Sequence, residues 1–149
     1  MSKVTSCGIV PIRKNGDKTE ILLGQPTNGG FYGMGFLKGQ VEDGETEMEA
    51  AIREFAEESG NLDVELFDIN TSFIQDNPKK KIYIWPAKVP HTDNNTLKIN
   101  EDGVILEHDH ENELVQFYDI EDLPMVFRNQ QEILEELLVF IENNEAEII

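Results

Sequence analysis

Only one cysteine, Cys7, occurs in this chain of 149 residues, so no disulfide can form within it, and a reducing compartment is the reading that fits. Basic residues are scarce as well: 12 Lys and Arg stand against 30 Asp and Glu, a net charge of −18. No basic surface can dominate such a molecule, which argues against general binding to nucleic acid or to an anionic membrane. No apolar run approaches membrane-spanning length, and the opening MSKVTSCGIVPIRKNGD has no signal-peptide apolar core. A soluble, cytoplasmic protein is the expectation. Repeats and low-complexity linkers are missing too, so residues 1–149 read as a single domain. What is present is apolar material, 39% of the chain with 8% aromatic, enough for one proper core.

Local patterns set out the elements. VTSCGIVPI and EILLGQ read as strands joined by KNGDK, where Asn15-Gly16 is a hairpin signal. PTNGGFYGMGF is rich in glycine and loop-like. A helix is predicted over Thr46 to Ser59, with Thr46 and Glu49 as a capping box and Gly60 as the left-handed stop. Met48, Ala51, Ile52 and Phe55 repeat at helical spacing and make its expected core stripe. VELFDI, TSFIQ, KKIYIWPAKV and ELVQFYDI read as further strands, HTDNNTLKINEDG as a polar loop. A closing helix is expected to start near Asn129, with Glu132 at capping-box spacing, and to bury Ile133, Leu134, Leu137, Leu138 and Ile141. The order predicts an α/β sandwich with a mixed sheet.

The segment REFAEESG, Arg53 to Gly60, places Glu54, Glu57 and Glu58 within one helical turn of each other. Like charges at such spacing repel. The apolar stripe points them away from the core, where they are either a solvated acidic face or the ligands of a cation. Carboxylate oxygens are the hard ligands that Mg²⁺ and Mn²⁺ prefer.

The flanks add a pattern: Gly39, five residues, Glu45, seven residues, Arg53-Glu54, Phe55, any residue, Glu57-Glu58, any residue, Gly60. This resembles the Nudix box, the signature of hydrolases that act on nucleoside diphosphates linked to another group. Asn61, with Leu62 after it, stands where the family usually has an aliphatic residue. The resemblance implies a Nudix-like α/β/α sandwich and a metal-dependent pyrophosphohydrolase using Mg²⁺ or Mn²⁺. By position, it makes Glu54, Glu57 and Glu58 metal ligands, one of them or another glutamate serving as general base. Gly39 would lend a carbonyl to the metal, Arg53 would orient a helix carboxylate, and Glu45 would brace the loop. It also implies a downstream acid, for which Glu111 in LEHDHENEL is the choice. His108 and His110 in the same stretch lack the other soft ligands of a zinc site and read as solvated loop histidines.

The stretch GFLKGQVEDGE, with Lys38 before Gly39, is similar to the dinucleoside tetraphosphate hydrolase branch. That likeness implies a small nucleotide substrate, with Lys38, Lys79, Lys80 and Lys81 on phosphates and Tyr83 or Phe117 stacking a base. The lysine run at 79–81 reads equally as a solvated turn. ADP-ribose, NAD-type compounds, a capped RNA 5′ end and oxidised nucleoside triphosphates stay open as substrates. So do a homodimer and a box-bearing module that senses nucleotides without cleaving them.

Overall fold

The computed structural model describes residues 3–27 and 33–148, so residues 28–32 of the glycine-rich loop lie outside the described part. In order come strands β1 Val4–Asn15, β2 Lys18–Pro26 and β3 Lys38–Gln40, helix α1 Glu47–Ser59, and strands β4 Glu65–Leu66, β5 Phe73–Asp76 and β6 Lys80–Lys88. Helix α2 Asp93–Lys98, strand β7 Asn112–Asp119 and helix α3 Gln131–Asn143 complete the chain. Among the described residues, no helix is long and apolar enough to cross a membrane.

The predicted hairpin forms, with Gly16 at φ +65° in its turn and Asn15 paired to Lys18. The sheet runs β4-β6-β1-β2-β7, with β3 on β1 and β5 on β6. Among the described strands, β1 and β6 alone pair in parallel, so the sheet is mixed as expected. Their parallel pairing needs a long crossover, which α1 supplies. Along one edge, β1 pairs β6 from Val4 to Ile12. Its other edge is shared: β3 takes Ser6 to Gly8, and β2 takes Ile12 to Asn15.

Strand alternation builds two cores. Val10, Ile12, Ile21, Leu23, Ile82 and Ile84 meet Ile133, Leu137 and Ile141 of α3 on one face. Cys7, Ile9, Leu22, Trp85, Ala87 and Phe117 meet Ala50, Ala51 and Phe55 of α1 on the other. The result is the expected α/β/α sandwich. Burial, with Glu47 and Glu45 nearby, pushes the Cys7 thiol up to about 12, so it packs as a small apolar group.

Two local predictions are corrected. A short helix, α2, occupies the predicted polar loop, because the Thr92 side chain accepts from the Asn95 amide and caps it. Helix α3 begins at Gln131 after a 3₁₀ turn at Arg128–Gln130, without a capping box. The Gln130 side chain is committed elsewhere: its Oε1 accepts from the amide of Phe36 at 2.8 Å.

Candidate active site

Helix α1 carries the site, and its caps set where the helix starts and stops. Thr46 Oγ1 accepts from the Glu49 amide at 3.1 Å, and Glu49 Oε1 accepts from the Thr46 amide at 2.9 Å. Gly60 ends the helix at φ +67°. A side chain at Gly60 would also strike the carbonyl of Glu107, 2.0 Å from where its Cβ would stand. That close approach brings the loop before β7 against the end of α1, where the Asp109 amide donates to the Glu57 carbonyl at 3.2 Å. Thr27 holds the loop from the other side, its amide donating to Glu111 O and its hydroxyl to His110 O. Glu111 is thereby carried to α1. Leu62 is buried, so it supplies the apolar contact that Asn61, itself at φ +64°, does not.

The buried face of α1 differs from the predicted one. Ala50, Ala51, Glu54, Phe55, Glu58 and Ser59 are buried, while Ile52 is 53% exposed. The reason is that the edge of the sheet under this helix is not apolar. Gly39 lies directly beneath Glu54, and a Cβ there would stand 2.0 Å from the Glu54 carboxyl carbon. Two carboxylates therefore turn inward, Glu54 at 7% and Glu58 at 3% exposure, instead of lying off the core side. Four residues apart, they share one face; Glu57 is rotated away and stays exposed.

Each inward carboxylate has one oxygen engaged and one bare. Glu54 Oε1 accepts from Arg53 Nη1 at 2.9 Å, and Glu58 Oε1 accepts from Asn112 Nδ2 at 2.9 Å. Among the described residues, neither Oε2 has a hydrogen-bond partner, although both are buried. Oxygens of Glu54, Glu58 and Glu111 lie within 4.8 Å of one another. Buried, unpaired carboxylate oxygens are costly unless a proton or a cation meets them. The donor set, three hard carboxylates without sulfur or imidazole, fits a divalent ion of the Mg²⁺ type. Glu57 does not join the three: it stands 3.6 Å from Arg53 Nη1.

Arg53 fastens this arrangement to the loop. It forks onto Glu45 at 2.7 and 3.0 Å, reaches the Gln40 carbonyl at 3.1 Å, and has Glu42 at 3.7 Å. Glu45 also accepts from the Glu42 amide at 2.9 Å and closes the loop on itself. Of the helix carboxylates, Arg53 hydrogen-bonds Glu54 and stands within ion-pair distance of Glu57. Hydrogen bonding to Arg53 and to the Glu42 amide holds Glu45 below the usual carboxylate range.

Burial pushes Glu58 up to about 8 and raises Glu54 too, with Glu111 and neighbouring carboxylates adding to both. The sign for stability follows. A folded-state value above the ordinary one means the metal-free fold takes up a proton more readily than the unfolded chain, so the stabilisation is complete at low pH and is lost as pH rises through about 8. In EDTA, the melting temperature is expected to fall between pH 5.5 and 8.5; a loss of about 2 kcal/mol corresponds to roughly 4–8 °C. Scanning calorimetry of the wild type and Glu58→Gln checks this, since the glutamine variant should show a flatter profile. Equal slopes would assign the pH dependence to the overall charge.

Lys38 and Lys80 stand beside the carboxylates. Together with Ser6, Gly39, Gln40, Glu42, Glu54 and Glu111 they line an open polar cleft of about 510 Å³. Burial, then the neighbouring Lys80, pushes Lys38 down to about 8, while Glu58 and Glu54 pull it the other way. A smaller cavity of about 170 Å³ continues past Lys38, Glu58 and Glu111 to Phe127 and Gln130.

Three expected substrate contacts are corrected. Lys80 shares a strand face with Ile82, so Lys81 and Tyr83 project from the opposite side of β6. There Lys81 Nζ sits 5.0 Å from the Tyr83 ring centre, and Tyr83 stacks on buried Trp85. Phe117 is 3% exposed beneath the Arg13 guanidinium, which leaves it no face for a base. Sequence reasoning missed Asn112, Phe127 and Gln130, none of which belongs to the box. His108 bonds its neighbour's carbonyl and His110 is exposed, both outside the carboxylate group.

A mixed sheet between two helices, with a loop and helix gathering carboxylates at its edge, defines a pyrophosphohydrolase of the Nudix class. The chain belongs to the NUDIX domain family, whose model matches residues 3–137. No curated protein matches the sequence significantly. Among solved structures, C. elegans Ap4A hydrolase in a binary complex is similar, with 24% identity, TM-score 0.70, and coverage of 94% of this chain and 98% of that one. A second structure of C. elegans Ap4A hydrolase has 23% identity and TM-score 0.65, over 94% and 99% of the chains. A NUDIX hydrolase from Nitrosomonas europaea has 18% identity and TM-score 0.66, over 99% and 75%. These are likenesses of fold.

Proposed function

We propose that the chain hydrolyses dinucleoside polyphosphates such as diadenosine tetraphosphate, with Mg²⁺ or Mn²⁺ held by Glu54, Glu58 and Glu111. One observation carries the reading: in a chain of net charge −18, Lys38 and Lys80 line the same cleft as the converging carboxylates. A highly charged phosphate chain is the ligand that needs both a cation and lysines in an otherwise acidic surface. When bound, the ion supplies charge neutralisation and an activated water.

The chain's own residues supply the rest. Arg53 and Asn112 keep the outer oxygens of Glu54 and Glu58 engaged. Gly39 lets the backbone approach Glu54, and its carbonyl is the proposed further ligand. Lys38 and Lys80 hold phosphate oxygens, and a glutamate of the group takes the proton of the attacking water. Phe127 replaces Phe117 as the proposed ring for a base, since it lines the inner cavity beside Gln130. The fold shared with C. elegans Ap4A hydrolase supports the same substrate class. A cytoplasmic location belongs to the same proposal.

A panel of diadenosine tetraphosphate, ADP-ribose, NAD and capped RNA, with products identified by chromatography, tests the substrate. Lys38→Ala is expected to lower kcat/KM on the tetraphosphate about tenfold to a hundredfold more than on ADP-ribose, because a charge-assisted contact outside the diphosphate is lost. Equal losses on both would place Lys38 on the shared diphosphate. A wild type that prefers ADP-ribose sinks the tetraphosphate assignment.

A further inference from the structure

Among the described residues, the only hydrogen-bond partner of the Glu58 carboxylate is Asn112, the first residue of β7. We infer that Asn112 is a positioning residue: its amide fixes Glu58 with one oxygen engaged and the other free, and so sets the affinity of the carboxylate group for a divalent cation. The inference rests on the proposal that Glu54, Glu58 and Glu111 hold such an ion.

The geometry treats the two buried glutamates alike. Glu54 gives Oε1 to Arg53 at 2.9 Å, Glu58 gives Oε1 to Asn112 at 2.9 Å, and each keeps a bare, buried Oε2. An ionised carboxylate can only accept, so the charged form of Glu58 takes the NH₂ of the amide, as the 2.9 Å contact from Nδ2 has it. The fold reserves the room for this. Gly24 of β2 lies against the amide, and a Cβ there would stand 2.9 Å from both Asn112 Cγ and Oδ1. The pairing of β2 with β7 breaks register between Gln25 and Pro26, just where Pro26 faces Asn112. That irregularity sits beside Glu111 and the buried amide together.

The donor's chemistry matters as much as its place. A lysine at this position would pair with Glu58 and compete with the cation. An amide supplies a hydrogen bond with no net charge. Arg53 reaches the same end differently, since its charge is absorbed by the bidentate contact with Glu45. Neither contact therefore leaves an uncompensated positive charge beside the free oxygens to compete with an ion.

The test titrates Mn²⁺ into the protein without substrate, reading free Mn²⁺ by electron paramagnetic resonance. Asn112→Leu and Asn112→Ala should bind Mn²⁺ about tenfold to a hundredfold more weakly than the wild type, the usual cost of losing an outer-shell partner. Their lost turnover should return at raised Mn²⁺, a recovery that a merely structural defect would not show. Should neither variant fold by circular dichroism, Gly24→Ala presses on the amide, as well as on Leu37 Cδ2, and should weaken Mn²⁺ binding in the same direction. Unchanged Mn²⁺ affinity in a folded Asn112 variant, or in Gly24→Ala where that variant alone folds, overturns the inference. So does lost turnover that excess Mn²⁺ fails to restore. A wild type that binds no Mn²⁺ sinks the metal proposal itself, whereas one that binds Mn²⁺ but cleaves no nucleotide sinks only the substrate reading.

Discussion

Glu58→Gln is expected to lower kcat by about three orders of magnitude or more, equivalent to roughly 4 kcal/mol of transition-state stabilisation. The side chain is 3% exposed, one oxygen accepts from Asn112, and the other has no partner among the described residues. Glutamine preserves the shape and the bond from Asn112. What it removes is the charge, and it turns an NH₂ toward the place where a cation is to sit. The same change relieves the cost of burying an unpaired carboxylate. In EDTA at pH 8 the variant should therefore melt higher than the wild type while being nearly inactive. That pair of results separates a functional loss from a folding defect. Near-normal turnover, measured by product chromatography on diadenosine tetraphosphate, would return Glu58 to the role of a structural acid.

Chelation is expected to abolish activity, and Mg²⁺ or Mn²⁺ to restore it. Three carboxylates with oxygens within 4.8 Å of one another repel strongly when all are charged and no cation is present. Glu111 contributes to that repulsion on both Glu54 and Glu58. An ion that binds the fold and not the unfolded chain also raises stability, by about 2.7 kcal/mol at a hundredfold excess over Kd. Added Mg²⁺ at pH 8 should then raise the melting temperature of the wild type by several degrees, and that of Glu54→Gln by much less. Full turnover in excess EDTA would remove the metal-assisted mechanism.

How much was legible depends on whether a feature is local along the chain. The capping box at Thr46 and Glu49, the stop at Gly60 and the hairpin at Asn15-Gly16 each rest on residues within a few positions of one another, and all three form. The stop after the box is an instance of compensation: Asn61 breaks the usual aliphatic pattern, and Leu62 one residue on is the side chain that is buried. Periodicity misled at Ile52. A helical stripe shows which residues are apolar, but the face a helix buries is chosen by what lies beneath it, and beneath α1 lies Gly39.

The spacing from Gly39 to Gly60 and the charge balance were enough to determine the class of chemistry, because the box is one continuous loop and helix whose residues meet through local turns. The substrate side could not be read that way. Of the expected lysine run, Lys80 reaches the cleft and Lys81 does not, because one position along a strand reverses the side chain's face. Phe117 is lost to the core because β7 pairs with β2 in the register that sets its ring beneath Arg13. Asn112 meets Glu58 across 54 positions of sequence, a contact that exists only once β7 docks beside the end of α1. Glu54 and Glu58 are written in adjacent turns of one helix; their orientation, the approach of Glu111, and the walls of the cleft come from elements brought together by long-range pairing.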